Sequence, residues 1–141
     1  DPAIVRLLLD KGARVEAAGA DGITPLISAL SDARGWIVPP RMDHTLAIVD
    51  LLLKAEASTK VLTANGRSVL TCGLLSAGDG QEGEVVERHS QQAIETMRKL
   101  LAGGKTDINM RNRAGETALG YAMRNGLSRI AAFLRQNGAV L

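Results

Sequence analysis

The sequence predicts an all-α solenoid of helix-turn-helix units with short β-hairpin-like turns, and three observations carry that expectation. Alanine (20) and leucine (19) make up 39 of the 141 residues, whereas Trp36, Tyr121 and Phe133 are the only aromatics. A β-sandwich or barrel core draws on β-branched and aromatic side chains, so this composition favours closely packed helices. An apolar helical stripe also recurs, at Ile4–Ala13, Ile48–Ala57 and Ile130–Ala139, with a looser copy at Met97–Gly104. Three of these four copies end at or near glycine, the usual helix stop. Between the stripes runs a second pattern: Asp21-Gly22-Ile23-Thr24-Pro25-Leu26, Asn65-Gly66-Arg67-Ser68-Val69-Leu70 and Ala114-Gly115-Glu116-Thr117-Ala118-Leu119. Each is a glycine turn, one variable residue and a hydroxyl that can cap the next helix.

Taken in order, Asp1-Pro2 reads as the N-cap and first position of an outer helix whose inner partner is missing. That half unit (1–18) is expected to continue upstream in a longer parent, because a lone amphipathic helix cannot bury its own face. Thr24 and Pro25 open the first full unit (19–62), Ser68 the second (63–111) and Thr117 the last (112–141). Leu9, Leu53 and Leu101 share a stacking position that holds Arg135 in the final stripe. A polar residue there suits a capping unit at the end of an array.

These residues together resemble the ankyrin repeat. Gly12-Ala13-Arg14-Val15-Glu16-Ala17 leading to Asp21–Leu26 follows its pattern. Thr117-Ala118-Leu119 through Asn125-Gly126, Ile130, Leu134 and Gly138-Ala139 matches a whole unit without a gap, and Asp107-Ile108-Asn109 stands at the family's Asp-Val-Asn. The three hydroxyl anchors lie 44 and 49 residues apart, against a family period of about 33. The extra residues fall at roughly 31–45 and 76–92, between the helices of a unit. Ile27, Thr71 and Gly120 replace the family's histidine, and Glu56 its helix-ending glycine.

The insertions are individual to this chain. The first holds Gly35-Trp36-Ile37-Val38-Pro39-Pro40-Arg41-Met42; in the second, apolar steps of three to four residues extend the outer helix back to about Gly83. Trp36, Ile37 and Val38 either cover that extended stripe or present Trp36 and Met42 as an anchor for a partner.

Nothing in the residues asks for catalysis. Cys72 lies among Leu70, Leu74 and Leu75, and His44 and His89 sit in separate insertions. The single cysteine excludes a disulfide framework or a multi-cysteine zinc site. Glu82, Glu84, Glu87 and His89 lack the spaced ligand pairs of structural zinc and read as a solvated helix face. Gly78–Gly83 carries two acids and no Gly-Lys-Ser/Thr, so it is no phosphate loop. The expectation is a non-enzyme with no cofactor or metal. With no apolar run near the ~18 residues of a span and no signal peptide, it should be soluble, monomeric and cytoplasmic.

Binding is where the residues speak. Overall charge is +2, but residues 1–96 carry a net −4 and residues 97–141 a net +6. Scarce aromatics argue against stacking nucleic-acid bases. The resemblance implies protein contact through a concave groove, at turn tips and inner-helix ends. Carried across, these positions are Ala20, Asp21, Ile23, Ser31 and Asp32; Leu62, Ala64, Asn65, Arg67, Leu75 and Ser76; and Arg111, Arg113, Glu116, Arg124 and Asn125. Arg67, Arg111, Arg113 and Arg124 are expected to converge at one basic end, suited to an acidic segment of another protein. The second reading is a regulatory domain docking in cis within a larger enzyme or channel.

Overall fold

Three hydroxyls start the inner helices. Thr24 Oγ1 accepts from the Ile27 N–H at 3.4 Å, Ser68 Oγ from Thr71 at 3.3 Å and Thr117 Oγ1 from Gly120 at 3.2 Å. Each satisfies an amide that the helix itself leaves unpaired. In this computed structural model, which describes residues 1–19, 22–32, 41–74 and 84–141, the chain is helical throughout its regular structure. The helices are α1 (Pro2–Asp10), α2 (Pro25–Asp32), α3 (Arg41–Lys54), α4 (Val69–Leu74), α5 (Glu84–Ala102), α6 (Ala118–Arg124) and α7 (Ser128–Gln136). Among the described residues the only β pairing is a single bridge between Leu62 and Ser68.

The helices form two layers. Inner helices α2, α4 and α6 stack in order, outer helices α1, α3, α5 and α7 stack beside them, and each inner helix packs on the outer helix that follows it. The core between the layers is aliphatic: Leu26, Ile27 and Leu30 from α2, Leu70 and Leu74 from α4, Leu119 from α6, and Val49, Met97, Leu100, Ile130 and Leu134 from the outer helices. Phe133 and Tyr121 only border it. Among the described residues α1 packs on α3 and on no inner helix, so Ile4, Leu7 and Leu8 remain exposed.

The outer helices share one ending. Gly12, Gly104 and Gly138 take left-handed φ of 83°, 64° and 88°, and Glu56 takes the same conformation at 65°. After α1, α3 and α7 the N–H of the next residue closes back on the carbonyl five positions earlier: Ala13 on Leu8, Ala57 on Leu52, Ala139 on Leu134. This is the Schellman closure, which uses up carbonyls the helix leaves open. After α5 the Leu100 carbonyl instead accepts from Thr106 Oγ1 at 2.5 Å. A side chain at Glu56 is tolerated because the stop is stereochemically accessible to any residue at a cost, and here the carboxylate meets Lys105 at 2.9 Å. α5 begins at Glu84, next to the Gly83 at which the sequence places its extension. Trp36, the rest of 33–40 and residues 75–83 lie outside the described residues.

Candidate functional site

The three turns between units have the same build. Gly22, Gly66 and Gly115 carry φ of 73°, 73° and 77°. Their amides bond to Gly19, Thr63 and Asn112 three residues back. A second bond closes each tip, from the amides of Gly19, Thr63 and Asn112 to the carbonyls of Ile23, Arg67 and Glu116. Glycine is favoured because a left-handed φ crowds a Cβ. At the third tip Asn112 does more: its Oδ1 accepts from both Ala114 and Glu116 at 2.9 Å.

The second and third tips lock together. The Arg113 amide donates to the Gly66 carbonyl at 2.8 Å, and the Arg113 side chain lies directly over Gly66, whose missing Cβ would collide with Arg113 Cβ. Gly66 is the one buried glycine of the three tips. The approach leaves a cleft of ≈ 210 Å³ lined by Asn65, Gly66, Arg67 and Thr71 on one side and Asn112, Arg113, Ala114, Glu116, Tyr121 and Arg124 on the other.

Its electrostatics follow from which charges are already paired. Arg124 grips Glu116 with two parallel bonds, Nε to Oε1 at 2.8 Å and the terminal nitrogen to Oε2 at 3.0 Å. It also lies 5.4 Å from the centroid of the Tyr121 ring. The guanidinium hydrogen bond holds the Glu116 carboxyl below its ordinary range, against partial burial that works the other way. Arg67 and Arg113 have no side-chain hydrogen bond or ion pair with any described residue. Three guanidinium groups and one carboxylate therefore leave the cleft a formal net charge of +2.

Asn65, Arg67, Arg113, Glu116 and Arg124, all expected at the recognition surface, line this one cleft. Arg111 does not. Its terminal nitrogens donate to the carbonyls of Gly115 at 2.6 Å and Leu141 at 3.0 Å, holding the last residues against the third tip. Asn109 and Thr117 bind the same segment through Val140. Asn125 donates to the Tyr121 carbonyl and so ends α6. Ile23 is exposed beside the first tip and Asp32 ends α2, while Asp21, Ser76 and Trp36 lie outside the described residues. Asn112, Thr71 and Tyr121 are lining residues that the sequence did not single out. Tyr121 lies one helical turn beyond Thr117, a spacing that could have placed it at the tip.

Cys72 is buried in α4 and His44 is exposed. Among the described residues no three of His, Cys, Asp and Glu gather as a metal-ligand set, and no helix is long and apolar enough to cross a membrane.

Helix pairs stacked in two layers, joined by glycine-tipped turns and ended by left-handed stops, define an ankyrin-repeat array, and this chain is one. It is similar to the ankyrin repeat and SOCS box protein 6 of Homo sapiens and of Pongo abelii, each 34% identical over 102 residues. The match covers 69% of this chain but 22% of each relative, so the chain spans about a fifth of their length. Its fold is similar to the crystal structure of an ankyrin repeat domain from Acinetobacter baumannii AYE, with a TM-score of 0.58 and 18% identity over 95% of this chain and 74% of that one. No protein-family model matches the chain.

Proposed function

We propose that this chain recognises another protein through the cleft between its second and third tips, and that the partner supplies an acidic segment. The observation that carries the proposal is the pair of guanidinium groups, Arg67 and Arg113, without an ionic partner among the described residues, in a cleft of net positive charge. An arginine fork matches a carboxylate with two donors and is more weakly hydrated than an ammonium, so pairing with one costs less desolvation. The shared turn geometry fixes the backbone from which both arginines project, which spares a partner the cost of ordering the turns themselves. Ankyrin-repeat relatives are interaction modules as a class, in keeping with this reading.

The test is association of a fluorescent glutamate-rich peptide with the chain and with Arg67→Glu/Arg113→Glu. Charge reversal should slow association by about tenfold or more at low salt and flatten its ionic-strength dependence. Association unchanged by the double variant would contradict the proposal. Arg111 is left alone, because its substitution would also release Gly115 and Leu141.

A further inference from the structure

Building on that reading, we propose that the anion this cleft is made for is a phosphorylated side chain within the partner's segment. The cleft contains its own comparison. One carboxylate, Glu116, fully engages one guanidinium fork, that of Arg124, at 2.8 and 3.0 Å. Two further forks, Arg67 and Arg113, have no side-chain partner among the described residues, and the formal charge left over is +2. A single carboxylate carries one charge and would satisfy one of them. A phosphomonoester carries about −1.5 to −2 at neutral pH and has three acceptor oxygens, so it can take both forks at once. Asn65 adds a carboxamide at the same wall, and ≈ 210 Å³ leaves room for a tetrahedral head. Most backbone amides of the two tips are already committed: Gly66 and Arg67 to Thr63, Arg113 to Gly66, and Ala114 and Glu116 to Asn112. Anion recognition therefore falls chiefly to the arginines.

The titratable groups facing the cleft are Arg67, Arg113, Arg124, Glu116 and Tyr121. The one carboxylate among them, Glu116, is held below its ordinary range by Arg124 and so stays ionised between pH 5.5 and 7.5. A phosphoserine, with a second pKa of about 6, gains charge across that window; a glutamate does not.

The experiment titrates the full chain, followed by NMR of the arginine Nε–H groups, with three matched pentapeptides centred on phosphoserine, glutamate or serine, and with inorganic phosphate. The phosphoserine peptide should bind about tenfold tighter than the glutamate peptide at pH 7.5. Its affinity should fall severalfold at pH 5.5 while that of the glutamate peptide holds. Arg67→Gln/Arg113→Gln should remove the difference. Equal affinity for the glutamate peptide, lost in the same variant, would overturn the phosphate assignment and leave the acidic-segment reading standing. No peptide response at either arginine would defeat both. Inorganic phosphate binding as tightly as the phosphopeptide would overturn recognition of a protein-borne group. If the double variant does not fold, the pH response of the unaltered chain decides alone: an unchanged preference between the two pH values contradicts the proposal.

Discussion

Gly66 and Glu116 show how single residues set the cleft. Gly22, Gly66 and Gly115 share a left-handed φ, but only Gly66 has a neighbour where its Cβ would be. Alanine at Gly22 or Gly115 should cost the conformational term alone, about 1–2 kcal/mol. Gly66→Ala should cost about 2–4 kcal/mol, because it also drives Arg113 away from a tip to which its own amide is bonded. Urea midpoints of the three variants measure this; equal losses would contradict the locked-tip geometry. Glu116 gives a pH signature. Its carboxyl is held below the ordinary 4.5 by Arg124, so the stabilisation is complete above that value and is lost as pH falls through the folded one. Arg124→Ala should move the Glu116 midpoint up toward the ordinary value and make the acid limb of stability shallower. An NMR titration with an unmoved midpoint would show that the bidentate pair does not control it.

At the scale of elements, the outer helices repeat one register with different surroundings. The residue four before the left-handed stop is Leu8 in α1, Leu52 in α3, Leu100 in α5 and Leu134 in α7. The last three are 2%, 1% and 0% exposed, whereas Leu8 is 54% exposed. The difference lies in packing, since no described inner helix covers α1. Leu52→Ala should therefore cost about 2–5 kcal/mol, as deletion of a buried leucine side chain does, and Leu8→Ala less than about 1 kcal/mol. Comparable losses by thermal or urea unfolding would mean that α1 is packed more completely than the structure shows. The stacking position one residue later behaves likewise: Leu53 and Leu101 border the core, and Arg135 projects outward to Met123.

Over the whole molecule, the fold was legible because its determinants are local and recur. A hydroxyl one position after the variable residue caps three inner helices, and glycine stops end three of the four outer ones, both readable from residue type and spacing, while the fourth stop, Glu56, is readable from spacing alone. The cleft was legible in part. Arg67, Arg113, Glu116 and Arg124 could be assigned to tips because the turn motif numbers them. Which of them are free could not be read. Arg111 looks equivalent to Arg113 in sequence, yet the returning C-terminal residues supply carbonyls that occupy it. Arg124 is matched by a carboxylate eight residues away across a helix start. Of the four arginines assigned to the tips, Arg67 and Arg113 are the two without a side-chain partner among the described residues, a distinction that belongs to tertiary structure. Lys99–Asp50 at 2.6 Å, part-buried between α5 and α3, and Lys105–Glu56 at 2.9 Å, in the loops after those helices, also consume positive charge; the exposed second pair adds little stability.

The proposal at stake is that an acidic partner segment meets this chain at the second and third tips and not on the outer helices, of which α7 carries two arginines and no acid. Its most direct measurement is an NMR map of the chain titrated with a glutamate-rich peptide at low salt. The account predicts the largest shifts at the Arg67 and Arg113 side chains and at the amides of Gly66, Asn112 and Ala114. Shifts centred instead on Arg98 and Arg135 of α5 and α7, with the tips unmoved, would contradict it.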